Sequence, residues 1–282
     1  MSDVRLIQGD CLDVLRTLEP DSVDAVVTDP PYGIGYHSNH YKGKNPHAPV
    51  TNDWNFQVGL FLQECSRVLK DGGAMYLFCR WDVTPLWLPY VGSAGLKVKT
   101  VVAWVKDNWS AGDLNGCFGN QYEQILFITK GRHLLRGRRW SNVWEFPRVP
   151  AAKMLHPTQK PVPLLERAIQ ASTDEGDFVV DCFAGSGSTG EAAQRTGRKC
   201  LLSDIDPKML AISARRLGIH LENETSDEAK EIAASPLFLP PDPSEWGIHP
   251  EDLRAVVDCL QGNVERIAQA QSAHPLLAEV NG

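Results

Sequence analysis

No apolar run in the 282-residue chain approaches the roughly 20 residues needed to cross a bilayer, which excludes a membrane-spanning helix. The opening MSDVRLIQGD lacks the basic start and apolar centre of a signal peptide, so the expected location is the cytoplasm. The seven cysteines, at 11, 65, 79, 117, 182, 200 and 259, are odd in number and include no Cys-x-x-Cys pair. That leaves no zinc or dithiol centre of this kind and predicts reduced, buried thiols; no metal is expected. There is no internal repeat and no recognisable nuclease motif. Acids are missing between Asp29 and Asp53, a stretch that holds Lys42, Lys44 and three histidines.

What is present is enough apolar sequence, 43% of residues, for a large core, with an uneven charge. Residues 222–282 carry twelve acids and three bases, a net of −9, so of the chain's −7 the first 221 residues hold +2. Within those, Lys130 to Lys153 contains seven bases (Lys130, Arg132, Arg136, Arg138, Arg139, Arg148, Lys153) against Glu145 alone. Trp140 and Trp144 lie in this basic stretch, and Tyr36 and Tyr41 in the acid-free one, a mixture suited to phosphates and stacked bases as well as to a solvated loop.

Strand-like runs alternate with amphipathic helical ones, the pattern of a doubly wound α/β sheet. Strands are expected at 4–7, 23–28, 74–79, 98–105, 124–129, 178–182 and 199–203, and helices at 11–18, 57–69, 164–171, 188–196 and 207–217. Residues 1–221 form one expected domain, which the resemblance described below makes the catalytic one. A polar, then Pro-rich connector leads to a helical pattern from Glu251 to about Ala273, whose face of Leu253, Val256, Val257, Leu260, Val264 and Ile267 suits packing on the domain or dimerisation.

Two stretches point to chemistry. In TDPPYG, residues 28–33, the strand Val23–Thr28 ends at Asp29, and Pro30 and Pro31 hold the backbone there extended. The carboxylate and nearby carbonyls therefore point in a set direction. In DFVVDCFAGSGSTGEAA, residues 177–193, a strand runs into Gly185-Ser186-Gly187-Ser188-Thr189-Gly190 and a helix start. This matches a dinucleotide fingerprint with acids Asp204 and Asp206 about 20 residues on, but no lysine follows Gly190 as a P-loop requires. Asp181 stands where a pyrophosphate would approach and suits a cationic ligand better. S-adenosylmethionine has such an end in its ammonium group, and a ribose diol that Asp204 can hold.

Taken together and in order, Gly9-Asp10, Asp29-Pro30-Pro31-Tyr32, His156-Pro157-Thr158-Gln159-Lys160-Pro161 and Asp181-Cys182-Phe183-Ala184-Gly185-Ser186-Gly187 resemble the β group of DNA amino-methyltransferases over residues 4–221. The resemblance implies a seven-stranded, mostly parallel Rossmann-like sheet with one reversed strand, at 98–105 or 124–129, and a helical C-terminal extension. It implies S-adenosylmethionine as cofactor, held by Asp10, Cys11, Asp29, His156, Thr158, Gln159, Lys160, Asp181, Phe183, Ala184, Gly185, Ser186, Gly187, Ser188, Asp204 and Ile205, with Asp10 on the adenine amine and 156–161 closing the methionine side. Asp29, Pro30, Pro31 and Tyr32 become the catalytic group, and Asp at position 29 points to adenine N6 rather than cytosine N4 as target. The partner implied is double-stranded DNA, gripped by elements at about 33–55, 106–120 and 130–155 through Tyr36, His40, Lys42, Lys44, Arg132, Arg136, Arg138, Arg139, Trp140 and Arg148. A homodimer is expected. A dinucleotide-dependent oxidoreductase and an inactive DNA-binding protein are the rival readings.

Overall fold

The computed structural model describes residues 3–32, 56–109, 115–150, 154–155 and 159–219. Fourteen elements follow one another: β1 (Val4–Gln8), α1 (Cys11–Arg16), β2 (Val23–Thr28), α2 (Val58–Val68), β3 (Leu69–Cys79), α3 (Thr84–Ser93), β4 (Lys97–Val105), β5 (Tyr122–Thr129), β6 (Val143–Glu145), α4 (Val162–Ser172), β7 (Phe178–Asp181), α5 (Ser188–Arg195), β8 (Lys199–Asp204) and α6 (Pro207–Leu217). The strands make one sheet in the order β1-β8-β7-β2-β3-β5-β4-β6. All pairings are parallel except those of β5 with β3 and β4, so β5 is the reversed strand.

Near-continuous apolar runs make the central strands two-faced, and each face is covered by helices. On one side Leu15 of α1, Phe61, Leu62 and Cys65 of α2 and Trp87 and Val91 of α3 pack on Val26, Met75 and Leu77. On the other, Leu164, Leu165 and Ile169 of α4, Ala192 and Ala193 of α5 and Leu217 of α6 pack on Val27, Tyr76 and Val179. From the central pair β2–β7 the chain winds outward both ways, through α2 to β3 and through α5 to β8. The crevice beyond the carboxyl ends of β2 and β7 is therefore the topological switch point, where open α/β sheets bind ligands.

Among the described residues the sheet has eight strands, where seven were expected. The added one, β6, is three residues long and lies inside the basic segment, where Trp144 is buried under the sheet edge and Trp104 of β4 donates from Nε1 to the Phe146 carbonyl at 2.8 Å. Helix α3 is also absent from the sequence reading, because Pro85 and Pro89 break the apolar spacing that would announce it. β3 starts at Leu69, five residues before the expected 74, and runs through Asp71-Gly72-Gly73; Gly72 N–H donates to the Lys130 carbonyl at 2.8 Å with φ at 82°. Of the predicted buried thiols, Cys117 is exposed, while Cys11, Cys65, Cys79, Cys182 and Cys200 are buried. No helix among the described residues is long and apolar enough to cross a membrane, and none of their His, Cys, Asp and Glu side chains cluster to hold a metal ion. The domain boundary at 221 and the apolar face at 253–267 lie outside the described residues.

Candidate active site

Asp29 follows β2 directly, and buried Pro30 fixes the chain that leaves it. Among the described residues its carboxylate has two donors: Tyr32 gives its hydroxyl to Oδ1 at 2.7 Å and Lys160 gives its ammonium to Oδ2 at 2.5 Å. Lys160 arrives from the chain entering α4, 131 residues away in sequence, and its Nζ lies 4.9 Å from the Phe78 ring centre. The same Nζ is 3.3 Å from Glu123 Oε2, and Glu123 Oε1 accepts from Lys106 at 2.5 Å. An alternating row of charges, Asp29–Lys160–Glu123–Lys106, thus runs from β2 to the β4–β5 hairpin. Burial alone would raise the Glu123 carboxyl, but Lys160 and Lys106 outweigh it and hold it below its ordinary value. Burial would likewise lower Lys160, yet Asp29 and Glu123 prevail and raise it. For Tyr32 burial and then the neighbouring Asp29 push the phenol well up, so it stays a donor.

Beneath Asp29 sits an aromatic floor. The Tyr32 ring meets Trp87 at 6.0 Å, Phe56 meets Trp87 at 6.0 Å, and Phe183 meets both Phe56 and Phe61 at 5.5 Å. Across the β2–β7 pair, Thr28 donates to Asp181 Oδ1 at 2.7 Å, Phe183 N–H to the same oxygen at 3.1 Å and Thr189 to Oδ2 at 2.6 Å. Asp181 is only 4% exposed, and burial, against its three donors, pushes its carboxyl up to about 6. The expectation placed it toward the ammonium of a ligand; among the described residues its carboxylate ties the end of β2 to the glycine loop and α5.

The loop itself is built for backbone exposure. Gly185 and Gly187 have φ of 51° and 76°, and a Cβ on Gly187 would sit 2.9 Å from Ser213 Oγ, whereas one on Gly185 would meet open space. Asp204 Oδ2 accepts from Gly185 N at 2.8 Å and Oδ1 from Asp206 N at 2.9 Å, and Asp206, not Asp204, caps α6. Ser186 and Ser188 point away from the crevice: both hydroxyls lie on Arg216, at 3.3 and 2.9 Å, and Arg216 also bonds the Ser186 carbonyl and Glu191. Ala184 is buried, its N–H on the Ser203 carbonyl at 2.9 Å. Ile205 follows β8 as an exposed apolar side chain, and Asp10 caps α1 through Leu12 N–H at 2.8 Å.

Other placements depart from expectation. Lys160 sits on Asp29 rather than on the cofactor side alone, and it is no surface charge, with its side chain 11% exposed. Cys11 turns into the core, where burial pushes its thiol up to about 12. Gln159 braces its own turn by accepting from Leu155 N–H at 2.8 Å. Because β5 runs backwards, its end at Thr129 lies level with Ala74 at the start of β3's central run. Residues after it therefore leave from the amino edge, opposite Asp29. There Lys130 pairs with Asp21 and Arg136 with Asp174, and Arg132 follows the same path, so these do not join the active-site edge. Trp140 lies between Arg138 at 4.0 Å and Arg167 at 4.8 Å; Arg139 and Arg148 are exposed, and Arg148 N–H donates to Asp107 just beyond β4. Tyr36, His40, Lys42, Lys44, His156 and Thr158 lie outside the described residues. Arg216, Ser213 and Trp87 were not among the expected site residues; only long-range packing brings them there.

A family model described as DNA methylase of the N6/N4 type matches residues 23–215. The DNA adenine methyltransferase YhdJ of Escherichia coli K12 is 31% identical over 267 residues, covering 80% of this chain and 86% of its own. Type II methyltransferase M2.DpnII of Streptococcus pneumoniae is 31% identical, covering 78% and 91%. Among solved structures, M1.HpyAVI in complex with S-adenosylmethionine superposes with a TM-score of 0.61 at 22% identity, over 77% of this chain and all of that one. The cytosine-N4-specific PvuII DNA methyltransferase gives a TM-score of 0.61 at 18% identity, covering 82% and 91%. With the acceptor motif and the glycine loop side by side at the switch point, the chain belongs to the S-adenosylmethionine-dependent DNA methylases of the N6/N4 amino family.

Proposed function

We propose that the protein methylates N6 of adenine in double-stranded DNA by direct in-line transfer to a flipped-out base. The observation that carries this is the Asp29 carboxylate, a fixed acceptor at the end of β2 beside the glycine loop, held by Tyr32 and Lys160. The name of YhdJ, a DNA adenine methyltransferase, supports the choice of base.

The residues around the glycine loop fit S-adenosylmethionine: Gly185 leaves open space above its backbone, and Asp10, Asp204 and exposed Ile205 end or follow β1 and β8 on the same edge. When bound, the cofactor supplies an electrophilic methyl group on sulfur. The chain's own task is the nucleophile. Adenine's amine is weak because its lone pair is delocalised into the ring. With one N–H on Asp29 and the other on the Pro30 carbonyl, the nitrogen becomes more tetrahedral and its lone pair is aimed. Asp29 offsets the charge that develops on nitrogen before the proton leaves. The amine is out of reach inside a duplex, so the base is flipped, with Tyr32 presenting the stacking face. Arg138, Arg139, Trp140 and Arg148 are the proposed DNA contacts outside the crevice. A cytoplasmic homodimer completes the reading; light scattering that shows a monomer with and without DNA would remove the dimer.

Incubation with labelled S-adenosylmethionine and unmodified genomic DNA, followed by digestion, is expected to give N6-methyladenine. N4-methylcytosine would establish the alternative base, and absence of label would sink the reading. Asp29→Ala is expected to bind cofactor yet lose transfer by more than about a thousandfold.

A further inference from the structure

We infer that Lys160 is a movable clamp on the catalytic carboxylate, and that Glu123 is the positioning residue onto which it shifts when the target amine arrives. This rests on the amino-methylation reading above. Asp29 must offer a lone pair to a weak amine donor; each oxygen keeps one besides the bond it accepts, but the ammonium at 2.5 Å from Oδ2, with Tyr32 on Oδ1, draws on the same negative charge. A charged donor is the stronger competitor for that oxygen. Left in place, Lys160 would also set a positive charge against a nitrogen that is itself becoming positive.

The structure supplies somewhere for the clamp to go. Among the described residues Glu123 Oε2 is a buried carboxylate oxygen without a hydrogen-bond donor, a costly arrangement unless something uses it. It lies 3.3 Å from Lys160 Nζ, within ion-pair reach but outside hydrogen-bond geometry. A shift of about 0.5 Å would close it to ordinary length. No proton has to move: Glu123 keeps Lys106 on its other oxygen, and Lys160 stays an ammonium throughout. The ammonium is shared between two carboxylates, bonded to one and within reach of the other. An incoming amine that competes only for Asp29 biases it towards Glu123.

The test uses the full chain in single-turnover transfer to unmodified DNA, with cofactor affinity by calorimetry as the check on folding. Glu123→Gln removes the charge that draws the clamp away, so transfer is expected to fall by about ten- to a hundredfold while cofactor affinity stays within about threefold. Glu123→Gln combined with Lys160→Met removes the clamp as well and is expected to regain about tenfold over Glu123→Gln alone. A merely structural role predicts the opposite, since the second change would add damage. Should Glu123→Gln fail to fold, Glu123→Asp, which keeps the charge but withdraws it, takes its place with and without Lys160→Met under the same expectation. Transfer at the parent rate in the single variant, or no gain in the double, overturns the inference. An active parent with no gain in the double overturns it alone, whereas a parent that labels no DNA overturns the amino-methylation reading as well.

Discussion

Replacing Asp181 by Asn probes the junction of the two motifs through its pH dependence. Burial pushes the Asp181 carboxyl up to about 6 in the folded chain, from an ordinary value of 3.8. Between those values the folded state holds a proton that the unfolded state has lost, so stability falls as pH rises through this window and is level above it. The shift amounts to about 3 kcal/mol in total, about half of it above pH 5. Asparagine can still accept from Thr28 and Phe183 N–H through its carbonyl oxygen, and the Thr189 hydroxyl can turn to accept from its amide. Any constant loss from the altered bonds cancels in the slope. Urea unfolding of both chains from pH 5 to 8 is therefore expected to show the parent losing about 1–2 kcal/mol relative to Asp181→Asn as pH rises. Curves that stay parallel would refute the inward, desolvated placement of Asp181.

Gly187→Ala forces a side chain into left-handed backbone and against Ser213, with a cost of about 2–4 kcal/mol that chemical denaturation measures. Arg216→Met releases Ser186, Ser188 and Glu191 from the back of the glycine loop; calorimetry is expected to show cofactor affinity down about tenfold. Arg132→Ala with Arg136→Ala, at the far edge of the sheet, is expected to leave DNA affinity within about twofold, whereas Arg138, Arg139 and Arg148 changed together to Ala should lower both affinity and its salt dependence in a titration against potassium chloride.

Much of the architecture was legible because it rests on local signals. The bounds of β2 and α6 follow from an apolar run ended by Asp29-Pro30 and from a helix opened by Asp206-Pro207 and closed by Gly218. The order of the motifs likewise lies along the chain. What stayed hidden has no local signature. β6 is three residues inside a stretch that composition marks as basic, and what makes it a strand is the open edge of β4. The basic segment reads as one unit in sequence, but the reversed direction of β5 sends its first part to one edge of the sheet while Arg148 reaches Asp107 at the other. Lys160 is marked in the sequence only as part of the motif ending at Pro161; its partner Asp29 is fixed by where α4 packs against the sheet.

The same contrast explains how the site holds its shape. Thr28 and Asp29 are neighbours on β2 whose side chains serve different ends: Thr28 is buried and bonds Asp181 across the sheet, while Asp29 turns to the crevice and takes Tyr32 and Lys160. Strand alternation sends neighbouring side chains to opposite sides, and Pro30 prevents the strand end from relaxing that division. On β7 Asp181 accepts from Thr28, from Phe183 N–H and from Thr189 on α5, so one buried acid fixes the end of β2, the aromatic floor and the start of α5 together. Every partner of Asp181 is a short, neutral donor with little freedom, whereas Asp29 is held by a long lysine side chain with a second acceptor within reach. The rigid acid therefore sets the frame, and the one whose partner has a second acceptor within reach stands where the proposed function places the substrate amine.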